Sequence, residues 1–118
     1  MNRFVIHEHN AKNLHYDFRL EMDNKLKSWA VPKNLPKEIG VRRLAISVED
    51  HPISYINFEG EIPKGQYGAG KVKIYDSGTY ELINKDDNNI HFILKGKTIN
   101  GEYNMIPFKD DWLIMKVK

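Results

Sequence analysis

The chain has 118 residues, 41% hydrophobic and 29% charged, with a formal net charge of +2. That length fits a single domain over residues 1–118, and no apolar run approaches the roughly 20 residues needed to cross a bilayer. With no cysteine there is neither a disulfide framework nor a thiolate metal site. The opening MNRFVIHEHN lacks the apolar stretch of a secretion signal, so a monomeric, cytoplasmic protein is the expectation. The mildly basic balance permits phosphate binding without requiring it.

In chain order, a first strand is expected over Phe4–Glu8. Leu14–Met22 (LHYDFRLEM) carries the clearest signal: Leu14, Tyr16, Phe18, Leu20 and Met22 share one face, and His15, Asp17, Arg19 and Glu21 the other. The turn Asp23-Asn24-Lys25 leads into a strand over Lys25–Val31. In Arg43–His51, Leu44, Ile46 and Val48 alternate with Arg43, Ser47, Glu49 and His51. Further strands are expected at Lys71–Tyr75, Thr79–Ile83, Ile90–Leu94, Glu102–Ile106 and Trp112–Val117, with hairpin turns at Asp76-Ser77-Gly78 and Lys85–Asn89. No amphipathic helix is apparent. The expected class is all-β, a small closed antiparallel β-barrel of about eight strands. If the apolar faces fill it, the polar stripes lie outside, and any site built from them is an outer groove.

The chemistry concentrates on those stripes. His15 and Asp17 lie side by side on one strand face, roughly 6–7 Å apart at the backbone, and His9 precedes them by six residues. Two imidazoles and a carboxylate suit Mn²⁺, Fe²⁺ or Zn²⁺ and leave coordination positions open for water or substrate. The plainer alternative is a solvated strand with unconnected surface groups. Arg19 continues the face and offers a guanidinium fork for phosphate; its alternative is a surface ion pair with Asp17 or Glu21. Arg43, Glu49 and His51 form the second stripe, with Tyr55 four residues on. His51 fits a general acid or a charge-stabilising donor, or simply a turn residue before Pro52. Gly65-x-x-x-x-Gly70-Lys71 imitates a phosphate loop, but Val72 stands where Ser or Thr must bind magnesium and a strand follows. The glycines there read as a tight backbone turn.

Taken together, FVIHEHNAKNLHYDFRLE (Phe4–Glu21), LKSWAVPK (Leu26–Lys33), RLAISVEDHPISYINFEGEIPKGQYGAG (Arg43–Gly70) and WLIMKVK (Trp112–Lys118) resemble the 3′-phosphoesterase domain of bacterial DNA ligase D, which also occurs free-standing. The resemblance implies a small β-barrel with its site in an outer groove. It also implies manganese-dependent removal of a 3′-terminal ribonucleoside, leaving a 3′-phosphate that is then hydrolysed to a 3′-hydroxyl. By motif match it assigns His9, His15 and Asp17 to the metal, which is Mn²⁺ with Co²⁺ or Zn²⁺ as other options. Arg19, His51 and Tyr55 fall on positions that engage the phosphate, Lys33 and Arg43 on basic positions important for the phosphatase step, and Glu49 on another active-site position. The implied partners are nucleic-acid 3′ ends and a separate DNA ligase or end-binding protein. Family members in large ligases carry an N-terminal extension that contributes to activity. This sequence opens almost at its first strand, so weaker or rebalanced activities are expected.

Two other readings stand beside this one. His15, Asp17 and the distant His51 also fit the two-histidine, one-carboxylate triad of non-haem iron oxygenases, which leaves His9, Arg19, Lys33 and Arg43 unexplained. A barrel that binds nucleic acid without catalysis is the other.

Overall fold

The alternation of LHYDFRLEM is strand from end to end in the computed structural model, which describes residues 2–118. The described residues form β1 (Arg3–Asn10), β2 (Leu14–Met22), β3 (Lys25–Val31), β4 (Arg42–His51), a 3-10 helix (Ile53–Asn57), β5 (Gly60–Ile62), β6 (Gly70–Asp86), β7 (Asn89–Gly96), β8 (Asn100–Phe108) and β9 (Asp111–Lys116). They pair in the order β1-β2-β3-β4-β9-β8-β7-β6-β5, and β1 also pairs with β6. That second pairing closes eight strands into an antiparallel barrel and leaves β5 as an extra strand on β6. Closure removes the free edges that an open sheet of this size would expose.

Local chemistry sets the first hairpin. Asp23 and Asn24 have φ of 56° and 64°, the left-handed pair that a two-residue hairpin turn demands and that these side chains tolerate. It fixes the register Asp17↔Ala30 and Arg19↔Ser28. Inside the barrel, Phe18 stacks on Phe92 at 5.7 Å and Phe92 on Tyr103 at 6.3 Å, surrounded by Phe4, Leu20, Met105 and Ile114. A smaller cluster, Val5, Leu26 and Ile56, lies apart from that core. It seats the 3-10 helix against the outer side of β1 and β3.

Three sequence expectations are corrected. Asp76-Ser77-Gly78 is not a turn: β6 runs through it, joining the two strands expected there. The buried Asp76 carboxylate accepts the amides of Ser77, Lys97, Thr98 and Ile99 at 2.7–3.0 Å, so it binds the loop between β7 and β8. Gly78 is needed because a Cβ there would lie 2.1 Å from the Lys95 carbonyl oxygen, a close crossing of two strands.

The second correction concerns β4, whose phase is the reverse of the expected one. Ala45 is the residue in the core, while Leu44 is 39% exposed and Ile46 and Val48 face the outer cavity described below. The pairing then slips: Ser28↔Val48 is followed by Leu26↔His51, so β4 carries an extra residue around Glu49–Asp50. That bulge returns His51 to the outer cavity face, whereas Arg43, before it, is not on that face. The third concerns Leu14, which lines the outer cavity instead of the core.

Asp76→Ala strands four amides at once and is expected to lower unfolding stability by roughly 3 kcal/mol, read by urea denaturation. A loss under about 1 kcal/mol would show that those amides are held by other means.

Candidate active site

The register of three strands assembles one row of polar side chains on the outer wall. His9 stands opposite His15 and His7 opposite Asp17 across β1 and β2; Arg19 stands opposite Ser28 across β2 and β3. The 3-10 helix and the loop between β5 and β6 rise on either side. The result is a groove of ≈ 630 Å³ lined by His9, His15, Asp17, Arg19, His51 and Tyr55, with Ala30, Ile46 and Val48 as apolar wall. The expected surface stripe is thus largely withdrawn from water: Asp17 is 6% exposed and Arg19 3%.

One nitrogen from each of His9 and His15 and one Asp17 carboxylate oxygen lie within 4.8 Å of one another. The Asp17 carboxylate is 3.1 Å from His9 Nδ1 and 3.2 Å from His15 Nε2. Each ring is turned by its far nitrogen. His9 Nε2 is 2.6 Å from the Gly68 carbonyl oxygen, and His15 Nδ1 is 3.1 Å from that of Asn13. A carbonyl only accepts, so in the neutral rings those nitrogens keep the protons; His9 Nδ1 and His15 Nε2 donate to Asp17 when protonated and turn lone pairs into the same space once they lose that proton. Carbonyls that fix ring orientation and tautomer in this way are the usual support of metal-ligating histidines. The three residues therefore fit one divalent ion with open coordination positions.

Arg19 is held beside this group. Its Nε donates to His7 Nδ1 at 3.1 Å, its Nη1 donates to Ser28 Oγ at 2.8 Å and lies 3.1 Å from His51 Nδ1, and its Nη2 lies 3.4 Å from Asp17. Three of the five guanidinium N–H groups are hydrogen-bonded, leaving the two on Nη2 beside the Asp17 charge and the groove. The Tyr55 ring lies 5.0 Å from the guanidinium carbon and 4.7 Å from the His51 ring.

The titrations follow from burial and charge. Burial pushes the Asp17 carboxyl up, but the His15 hydrogen bond and the charges of Arg19, His15 and His9 outweigh it, holding the group below the usual carboxylate range. Hydrogen bonding to Asp17 raises His15. Burial, then the Arg19 charge, lowers His51. Burial lowers the Arg19 guanidinium and raises the Tyr55 phenol, which stays protonated and able to donate.

His7 is the residue that sequence reasoning missed. It is fully buried, and burial followed by the Arg19 charge lowers it to about 4. Its Nε2–H donates to the Phe58 carbonyl at 3.0 Å, which leaves Nδ1 to accept from Arg19. The H-x-H spacing of His7 and His9 was the available signal. The structure does not bring Lys33 and Arg43 to this groove: they line a separate cleft of ≈ 590 Å³ with Lys37, Tyr16 and Tyr75. Glu49 reaches the groove rim through the β4 bulge.

Fold and site together define a β-barrel with two histidines and a carboxylate that could hold a metal ion, beside a buried arginine. Residues 7–107 match the family model of the DNA Ligase D 3′-phosphoesterase domain. The chain is 53% identical over 122 residues to the multifunctional non-homologous end joining protein LigD of Mycobacterium bovis, covering 99% of this chain and 16% of that protein. Identity to the Mycolicibacterium smegmatis protein of the same name is 48%, over 99% of this chain and 17% of the relative, and to the Pseudomonas aeruginosa protein 40%, over 98% and 15%. This chain belongs to the DNA ligase D 3′-phosphoesterase domain family, and spans about one sixth of the length of those relatives.

The raised His15 carries a proton that a metal must displace. Because the folded metal-free site titrates above the reference value of about 6.5, affinity should begin to weaken above that pH as acidity rises, approaching tenfold per unit for each proton displaced. Calorimetric manganese titrations at several pH values check this. An affinity constant from pH 8 to 5.5 would contradict ligation by His15.

Proposed function

We propose that this protein is a manganese-dependent 3′-end-healing phosphoesterase. On this reading it removes a 3′-terminal ribonucleoside and hydrolyses the remaining 3′-phosphate to a hydroxyl, preparing DNA ends for joining. The observation that carries the reading is the seam between two devices in one groove. His9, His15 and Asp17 form an open metal group, and Arg19 lies 3.4 Å from Asp17, aimed into the same space. Phosphate needs both, a cation to neutralise its oxygens and a fixed fork to orient it. A divalent ion held there supplies Lewis acidity toward the phosphoryl oxygen and lowers the pKa of bound water; Mn²⁺ suits the ligand set, with Co²⁺ or Zn²⁺ as substitutes.

The protein groups divide the remaining work. Arg19, fixed on four sides, turns an Nη2–H toward a non-bridging phosphoryl oxygen. In the tautomer in which His51 Nδ1 accepts from Arg19, the neutral ring keeps its proton on Nε2 and donates from the opposite side of the phosphate. Tyr55, kept neutral, adds a hydroxyl donor. The apolar wall of Ala30, Ile46 and Val48 lowers the local dielectric and strengthens each of these contacts. Glu49 lines the groove rim two residues before His51 and adds a carboxylate there. Lys33 and Arg43 act from the neighbouring cleft on nucleic-acid phosphates beyond the reacting one, a role supported by the basic lining they share there with Lys37. The protein works as a monomer on DNA ends in the cytoplasm, alongside a separate ligase or end-binding protein.

The iron-oxygenase reading needs His51 as third ligand. His51 is instead turned to Arg19, and His9 completes the group with His15 and Asp17.

Arg19→Ala or His51→Ala should reduce manganese-dependent phosphate release from a 3′-phosphate DNA primer by roughly 10²–10³. Manganese affinity should change little in either. Recovery of wild-type rates with excess manganese would instead place both residues in support of the metal.

A further inference from the structure

One exposed aromatic at the groove is left without a task by the chemistry above. The loop between β5 and β6 carries Tyr67, 87% exposed, on the rim of the cavity that holds the metal group. The groove's other tyrosine, Tyr55, is packed between the rings of His51 and Phe58, at 4.7 and 4.8 Å, whereas the Tyr67 ring stands open. Leu14, 49% exposed at the start of β2 and adjacent to His15, lines the same cavity. Two large, well-exposed side chains thus stand at the groove that holds Arg19 and the His9, His15, Asp17 group.

The loop beneath Tyr67 is built to hold a fixed position. Gln66 N–H donates to the Pro63 carbonyl at 3.3 Å and Ala69 N–H to that of Gln66 at 3.1 Å, closing consecutive turns. Gly65 and Gly68 supply the positive φ, 88° and 76°, that those turns require. The Gly68 carbonyl then accepts from His9 Nε2 at 2.6 Å. A Cβ on Gly68 would meet His9 Cε1 at 3.4 Å. The residue that follows Tyr67 is therefore anchored on a metal ligand, and the open ring is held at a set place relative to the metal group and Arg19.

We propose that Tyr67 is the stacking platform for the nucleobase of the nucleotide whose 3′ oxygen bears the reacting phosphate, with Leu14 contributing to the same apolar base site. The inference rests on the 3′-end reading above and adds how the end is gripped. That base is one sugar away from a phosphate held at Arg19 and the metal group, so it emerges at the groove's rim. A ring face is the appropriate contact, because an enzyme that heals broken ends meets every base there, and stacking accepts all of them. The site should accordingly show only a mild preference for purines.

The experiment compares wild type, Tyr67→Ala and Tyr67→Phe on two manganese-activated substrates. One is a 3′-phosphate DNA primer ending in an ordinary nucleotide, and the other ends in an abasic tetrahydrofuran unit. On the ordinary primer Tyr67→Ala should lose roughly 5- to 100-fold in kcat/KM, chiefly through KM, with manganese affinity unchanged, and Tyr67→Phe should recover most of the loss. The abasic end should cost wild type a comparable factor and cost Tyr67→Ala far less, only the share that Leu14 contributes. Equal penalties for the abasic end in both proteins, a Tyr67→Ala variant as active as wild type, or a Phe variant as poor as Ala would overturn the stacking role. A wild type that releases no phosphate from any 3′ end would overturn the functional reading itself, and the base site with it.

Discussion

A carboxylate almost fully withdrawn from water must be met by donors, and Asp17 is met from three directions, by His9, His15 and Arg19. Burying such charges costs several kcal/mol for each before their mutual attraction is counted, so the cluster is poor stability engineering. Its value is positional. Arg19 satisfies Asp17 while being held in turn by His7, Ser28 and His51, and His7 is held by the Phe58 carbonyl. Each link comes from a different segment, so the barrel, the 3-10 helix and its exit must all be in place for the guanidinium to point one way. Preorganisation of this kind is what electrostatic catalysis requires, because the donors need not reorganise as charge develops.

The barrel explains why the site is an outer groove. Aromatic packing of Phe18, Phe92 and Tyr103 fills the interior, so the only wall free for chemistry is the outer one. Closure through β1 and β6 places β1 beside β2 and also beside the strand that follows the glycine loop. His9 can therefore take its Asp17 contact from β2 and its Gly68 contact from the loop. A flat sheet with β1 at its edge would have left His9 without the second.

Much of this was legible in the sequence, and its failures have physical causes. Period-two alternation identified both faces of β2 from Tyr16 onward, and the H-x-D spacing with His9 nearby pointed to three side chains whose ligand atoms lie within 4.8 Å of one another. The inward-outward sense of β4 was misread because Leu44, Ile46 and Val48 look like core. Here apolar residues form the wall of a desolvated site and small Ala45 fills the core position. A bulge, which leaves no composition signal, then restored His51 to the groove while Arg43 went to another cleft. Asp76-Ser77-Gly78 carried turn chemistry but serves a different hairpin, through backbone amides some twenty residues away. His7 lay in view two residues before His9, but that spacing suggests a ligand pair, and nothing in it tells of a buried histidine that accepts from an arginine.

Anomalous diffraction from crystals soaked in manganese together with a short 3′-phosphate oligonucleotide tests most directly whether His9, His15 and Asp17 hold a metal beside Arg19. A single strong anomalous peak is expected in contact with His9 Nδ1, His15 Nε2 and an Asp17 oxygen, with the phosphate between it and Arg19 and His51. A peak ligated by His51, or one remote from Asp17, would contradict that placement.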